Sequence, residues 1–290
     1  MRSKFIVSLL LFVILLTGAC TPQVAPATPI AAPTMASAAT DVPPIEKPEP
    51  KNLTVLAAAS LTEAFAELGK IFEAQNPGVT VSFNFAGSQQ LAQQLDQGAP
   101  ADVFASASKK YMEAAVTSKR VNQDDAKVFV KNRLVVIFPK DNPAGLQELK
   151  DLAKPGLKLV LADKAVPVGQ YSLDFLDKAI ADPSFGLQFK GNVLKNVVSY
   201  ENNVKSVFTK VALGEADAGI VYVTDITPDA ADKVGKLNIP DALNTIASYP
   251  IAPIADSENA NLAKAFVALI LSPEGQQVME KYGFLSTASH

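Results

Sequence analysis

The sequence predicts an α/β fold with mainly parallel sheets, on three observations. Short apolar runs of strand character alternate along the chain with segments of helical periodicity, the pattern of strand–helix–strand units. Apolar residues make up 48 % of 290 residues, enough for sizeable cores and suited to two modest domains or one large one. No repeat of fixed period occurs, which excludes a solenoid.

Taken in order, 53–58 is a short buried strand, and Ala64, Phe65, Leu68 and Phe72 then recur at helical spacing until Asn76-Pro77-Gly78 stops the helix. Residues 79–85 alternate as a strand, Gly87-Ser88 breaks it, and 89–96 is helical. A strand at 102–107 precedes a helix at 109–117, and strands come next at 133–139 and 157–162. The second half repeats the plan, with a helix over 173–180 after Val168-Gly169. Val204, Val207, Phe208 and Val211 then form a one-faced helix before an apolar strand at 218–223. A strand at 249–254 leads to a helix at 262–271, and Pro273 opens a last helix ending near Tyr282-Gly283.

The first 50 residues are of another kind. Arg2 and Lys4 precede an apolar run over 5–16 and then Thr17-Gly18-Ala19-Cys20, the layout of an export signal. As a helix the run would rise about 18 Å, short of the roughly 30 Å of a bilayer core; a retained short anchor is the alternative reading. The segment resembles the lipobox of bacterial lipoproteins, in which the cysteine becomes the acylated first residue. That resemblance implies a leader over 1–19 and a lipidated Cys20, with the net charge moving from −3 to −5 once Arg2 and Lys4 are removed. Eight of the 20 prolines fall within 21–50, among alanine and threonine, so this stretch buries no core and reads as a tether.

Composition excludes several chemistries. Cys20 is the only cysteine and His290, at the end, the only histidine, so an intramolecular disulfide, a multi-thiolate or multi-histidine metal site, a Ser-His-Asp triad and a Cys-His pair are all ruled out. With 26 Lys and Arg against 29 Asp and Glu and no basic block, nucleic acid is not an expected partner.

The informative residues lie at four strand-to-helix turns. Ala57-Ala58-Ala59-Ser60-Leu61-Thr62-Glu63 reads as a capping box with Ser60 at the N-cap and Glu63 three residues on. Ala86-Gly87-Ser88-Gln89-Gln90 repeats the idea with Ser88. Val166-Pro167-Val168-Gly169 opens a helix with a glycine where the backbone must bend or approach something closely, and Glu201-Asn202-Asn203-Val204 opens another with good capping residues. Taken singly, each is an ordinary helix cap, Val168 and Val204 ordinary apolar residues, and Tyr222 a half-buried strand aromatic. Together, four converging N-termini would present about +2 of partial charge to an anion without any lysine or arginine. No Walker loop and no G-x-G-x-x-G accompanies them, so the glycine signature of a nucleotide site is missing. Spacing alone does not decide whether the turns converge.

These turns, with Phe85-Ala86-Gly87-Ser88, Ala101-Asp102-Val103-Phe104-Ala105-Ser106-Ala107, Gly219-Ile220-Val221-Tyr222-Val223-Thr224-Asp225 and the closing Lys281-Tyr282-Gly283-Phe284, resemble the molybdate-binding proteins of ABC importers. The resemblance covers nearly the whole chain after Leu53 and implies a two-lobed type II periplasmic-binding-protein fold, with a hinge of two crossing strands near 133–139 and 249–254 and a ligand cleft between the lobes. One lobe would be 51–132 plus 250–290 and the other 133–249. By the same resemblance the oxyanion is held by neutral donors: the hydroxyl and backbone N–H of Ser60 and of Ser88, the backbone N–H of Val168 and of Val204, and the phenol of Tyr222. Val168 stands where the family often has alanine. Asp102 reads as a turn anchor rather than a ligand, since a carboxylate repels a dianion.

The resemblance implies a receptor without chemistry of its own, bound to the outer face of the membrane through Cys20. It would take molybdate or tungstate as ligand, need no cofactor and no cationic metal ligands, and deliver the anion as a monomer to the membrane permease subunits of an importer. A receptor for another tetrahedral oxyanion, tungstate-preferring or sulfate-accepting, is the near alternative. An enzyme on the same scaffold is the remote one, weakened by the lack of an internal histidine and of paired carboxylates at an evident site.

Overall fold

The computed structural model describes residues 50–287; the expected leader, Cys20, the tether up to Glu49 and His290 lie outside them. The first half runs β1 (Lys51–Ala58), a 3-10 turn (Ala59–Leu61), α1 (Thr62–Gln75), β2 (Val79–Ala86), α2 (Ser88–Asp96), β3 (Val103–Ala105), α3 (Lys109–Thr117), β4 (Lys127–Asn132) and β5 (Leu134–Pro139). The second half runs β6 (Leu159–Ala162), α4 (Pro167–Ala181), α5 (Phe189–Lys195), β7 (Val197–Glu201), α6 (Val204–Ala212), β8 (Ala218–Tyr222), β9 (Val234–Asn238), β10 (Ala247–Pro253), α7 (Ala260–Leu271), α8 (Pro273–Lys281) and β11 (Leu285–Ser286). Asn76-Pro77-Gly78 does stop α1, and Gly78 turns the chain into β2 at φ 88°, a conformation that favours glycine.

The strands form two sheets. One has the order β11-β4-β10-β3-β1-β2, the other β7-β6-β8-β5-β9. The sheets are mixed, which corrects the expectation of mainly parallel ones. β1 runs parallel to β2 and β3, and β6 parallel to β7 and β8, but β10 is antiparallel to both β3 and β4, and β5 to both β8 and β9. β10 and β5 are the strands entered straight from the other sheet, whose direction the crossing dictates rather than a helical return; the short edge strand β11 is also antiparallel to β4.

Each lobe is built on one sheet, and the chain crosses between them twice. Arg133 alone separates β4 from β5, and 239–246 carries the chain back from β9 to β10. The crossings therefore come just before the two strands expected to form them. They are laced together: the Asn244 amide accepts from Leu134 N at 3.0 Å and donates to Leu134 O at 2.9 Å, and Arg133 pairs with Asp241 at 2.9 Å. Asn244, buried, does for the start of β5 what a neighbouring strand would otherwise do. In β10 the register shifts at Tyr249/Pro250, which lets a proline without an N–H occupy a strand paired on both sides.

Packing holds the first sheet rigid beneath the turns. Leu53, Val55 and Ala57 of β1 point into one core, where Phe65 and Phe72 of α1 meet Phe266 of α7 at ring separations of 6.1 and 5.3 Å. Leu56 points the other way, against Leu91 and Leu95 of α2 and Phe104 of β3. Each such side chain contributes about 1.5–3 kcal/mol by leaving water. α1 and α2 are thereby fixed on opposite faces of β1, with their N-termini at the carboxyl ends of β1 and β2, the edge at which α/β folds place ligands.

Candidate functional site

The four turns meet at one cavity. It is a small cavity of about 10 Å³, and Ser60, Ser88, Val168, Val204 and Tyr222 all lie on its wall. Ser60 and Ser88 come from the lobe of the first sheet; Val168, Val204 and Tyr222 come from the other. Among the described residues that line it there is no lysine, arginine, aspartate or glutamate. Asp102 is elsewhere, accepting from Thr54 N at 2.7 Å and Ser257 Oγ at 2.6 Å as a turn anchor.

The local reasons differ from turn to turn, and the first corrects the capping-box reading. Ser60 sits inside the 3-10 turn rather than at the N-cap, and no side chain caps that turn or α1. Its hydroxyl lies instead 2.8 Å from the phenol of Tyr249 in β10, while Glu63 reaches across the cleft to Lys205. In the second turn Gly87, not Ser88, is the N-cap, and its N–H donates to Gln90 Oε1 at 3.3 Å. Ser88 is the first helical residue, and its Oγ accepts from Ala107 N at 3.0 Å.

Pro167 occupies the first position of α4, where its missing N–H costs nothing, and Val168 supplies the first free amide. Gly169 shows the close approach its sequence context suggested: a Cβ there would stand 2.0 Å from Asp163 O and 2.5 Å from Ala162 O. Asn203 caps α6 by accepting from Ser206 N at 3.0 Å, which leaves Val204 N–H at the helix start without an intrahelical partner.

Tyr222 completes the wall. The ring is 1 % exposed, and its phenol oxygen has no hydrogen-bond partner among the described residues. A buried hydroxyl left unmade costs about 1–3 kcal/mol, so the site holds a donor whose partner the chain does not supply. Burial, with smaller contributions from Tyr249, Tyr171 and Asp225, pushes this phenol well above its ordinary pKa, and it remains a donor at every physiological pH.

The two walls are closed upon each other. Gln89 Nε2 donates to Asn202 O at 2.8 Å, Tyr171 OH to Ala107 O at 3.4 Å, and Tyr111 OH to Ala165 O. Lys205 forms an ion pair with Glu63 at 2.8 Å and stands 3.5 Å from Asp225 Oδ1 within its own lobe. Burial opposes the charge of Lys205, but Asp225 and Glu63 outweigh it and hold the ammonium above its usual pKa. Burial likewise raises the Asp225 carboxyl, to about 6, against the pull of Lys205 and of the Tyr222 N–H.

Sequence reasoning missed three participants: Tyr249, Lys205 and the role of Glu63. Tyr249 had a faint signal as the one large polar-tipped residue in a run of small apolar ones before Pro250. Nothing in spacing connects it to Ser60, 189 positions away.

A two-lobed chain with a closed, neutral, donor-lined cleft is the architecture of a solute receptor, and comparison places it. Residues 53–285 match the model of the bacterial extracellular solute-binding proteins, and the chain belongs to that family. Among its relatives, the molybdate-binding protein ModA of Mycobacterium tuberculosis is 36 % identical over 234 residues, which span 81 % of this chain and 84 % of that one. The structure of the Azotobacter vinelandii periplasmic molybdate-binding protein superposes with a TM-score of 0.70 at 19 % identity, over 81 % of this chain and all of that one. The sulfate-binding protein SubI of M. tuberculosis shares the fold, with a TM-score of 0.72 at 18 % identity over 82 % of this chain and 87 % of that one.

Proposed function

We propose that the chain is the receptor of an ABC importer that captures molybdate, and tungstate as well, in the cleft between its lobes. The observation that carries this reading is the donor set of the cavity: helix-start amides at Val168 and Val204, the hydroxyls of Ser60 and Ser88, and a buried Tyr222 phenol without a partner of its own. Such a set supplies hydrogen bonds and helix partial charge to an oxyanion and offers no titratable acceptor that would repel it. The identity to ModA proteins supports the choice of ligand.

The anion binds to the donors of one lobe, and rotation about the crossings at Arg133 and 239–246 brings in those of the other. The closed form is what the permease subunits would engage. Selectivity arises from fixed geometry: the smaller sulfate leaves donors unmade, at about 1–3 kcal/mol each. Hydrogen phosphate brings a proton that finds no acceptor. The receptor acts as a monomer without catalysis, lipidated at Cys20 and held on the outer face of the membrane by the tether.

Titration calorimetry of the purified chain with molybdate, tungstate and sulfate tests this. Tight one-to-one binding of the first two, with sulfate silent, is the expected result. Sulfate binding of equal strength would move the function to a broader oxyanion receptor, and silence from all three would remove it. For the anchor, incorporation of labelled palmitate that is lost in Cys20→Ala is expected.

A further inference from the structure

We infer that Tyr249 is a positioning residue of the oxyanion site: a relay from Asn132 through Tyr249 fixes the Ser60 hydroxyl as a hydrogen-bond donor to the cavity. The inference rests on the function proposed above.

As far as Tyr249, the direction of the relay is set by groups that have no choice. Arg133 N–H can only donate, and it does so to Asn132 Oδ1 at 2.9 Å, which fixes which end of that buried amide is the oxygen. The amide nitrogen then faces Thr224 Oγ1 at 2.8 Å and Tyr249 OH at 3.4 Å, and it can only donate to both. Tyr249 OH, having accepted from Asn132, must place its own proton elsewhere. Ser60 Oγ, 2.8 Å away, is the partner at hydrogen-bond distance and receives it, while the Tyr222 phenol, which also faces Tyr249, keeps its own proton for the cavity. Tyr249 is fully buried, so water offers no alternative. A serine oxygen that accepts from Tyr249 keeps its own proton free, and the open direction from Ser60 is the cavity.

Ser88 is treated in the same way by a different group, since its Oγ accepts from Ala107 N–H at 3.0 Å. Both serines thus accept one hydrogen bond from behind and have their protons left for the ligand. A serine hydroxyl without such a partner donates or accepts equally well; these two are biased towards donation. Asn132 is the last residue of β4, beside the crossing at Arg133, and Thr224 belongs to the opposite lobe. The relay therefore passes through the hinge, and the orientation of Ser60 depends on the lobes holding their closed relation.

The test is a double-mutant cycle by titration calorimetry on the full purified chain, with molybdate as the probe. Tyr249→Phe keeps the ring and removes only the hydroxyl. It is expected to weaken molybdate about tenfold, and to add less than twofold in a Ser60→Ala background. Competition by inorganic phosphate is the second readout: its affinity relative to molybdate rises in Tyr249→Phe, because Ser60 regains the freedom to accept, a change that loosened packing would not produce. Should Tyr249→Phe fail to fold, Thr224→Val frees the Asn132 amide instead, and its effect is likewise expected to vanish when Ser60 is already alanine. Unchanged molybdate affinity in Tyr249→Phe, or an equal loss with and without Ser60, overturns the relay. If the wild-type chain ignores molybdate, that reading of the function falls by itself, and the cycle is run with whichever of tungstate or sulfate binds. If none binds, both fall.

Discussion

Lys205 extends from the start of α6 across the cleft to Glu63 of α1, their charged atoms 2.8 Å apart, so one ion pair joins the two lobes beside the ligand cavity. Both side chains retain some exposure, 26 % for Lys205 and 37 % for Glu63, so water screens the pair. Asp225, by contrast, is fully buried and looks to the same ammonium. The lysine thus serves a closure contact on one side and a buried charge on the other.

The two roles separate by mutation. Glu63→Gln removes only the closure contact and is expected to weaken ligand binding by no more than about 1 kcal/mol, an effect that fades at high salt. Lys205→Met also strands Asp225, and leaving a buried carboxylate without its partner costs about 3–5 kcal/mol. Denaturant unfolding of the ligand-free variants checks this: Glu63→Gln close to wild type, Lys205→Met far below it.

Asp225 also sets a pH dependence of definite sign. Its folded pKa of about 6 lies above the ordinary 3.8, so between these values the folded protein holds the proton more firmly than the unfolded chain. The contribution to stability is complete below about pH 4 and is lost as pH rises through 6, by on the order of 3 kcal/mol. Asp151 and Glu201 act oppositely. Burial raises both, but backbone N–H groups and Lys154 for the first, and Lys210 with Ser199 for the second, prevail and hold them low. Their contribution is therefore lost as pH falls. The Asp225 effect is read from the difference between wild type and Asp225→Asn in urea titrations from pH 4 to 7. That difference is expected to shift against the wild type as pH rises and to level off above about 6.5.

The donor wall gives the third prediction. Ser60→Ala and Ser88→Ala are each expected to weaken molybdate by about 1–3 kcal/mol. Tyr222→Phe is expected to do the same while leaving the ligand-free protein as stable as before or more so, because the hydroxyl it removes is a buried group without a partner among the described residues. Calorimetry and thermal unfolding of the same sample check both halves, and a destabilised ligand-free Tyr222→Phe would mean that the phenol has a structural bond.

How much of this was legible depends on distance along the chain. Gly169 was readable, because Pro167-Val168-Gly169 is a local arrangement whose backbone demand shows in the residues themselves. The Asn203 cap was readable for the same reason. Glu63 was misread by that logic: a carboxylate three residues after a serine satisfies the local pattern, but Lys205, 142 positions away, competes for it and wins. β4, Lys127–Asn132, was not anticipated because its Lys-Val-Phe-Val-Lys-Asn run is short and flanked by charge. It is a strand because β10 and β11 pair with it on either side. The meeting of the four turns at one cavity was implied by resemblance, since convergence is a property of the sheets and not of any one turn.

Gly87 supplies the last prediction, which separates closure from folding. Its backbone lies at φ −62° and ψ 138°, a conformation alanine adopts without strain, so the residue is not there for its freedom. A Cβ at this position would stand 2.5 Å from the backbone oxygen of Asn202 on the opposite lobe, and the nearer Gln89 amide at 2.4 Å is the movable end of a side chain. The flexible neighbour can swing away, whereas the carbonyl belongs to the α6 turn and recedes only if the lobes part. Gly87→Ala is therefore expected to fold with an unchanged unfolding temperature when ligand-free, yet bind molybdate at least tenfold more weakly. Small-angle scattering is expected to show the wild type contracting on adding ligand and the variant not. Full affinity in the variant would mean that the two walls need not approach this closely to hold the anion.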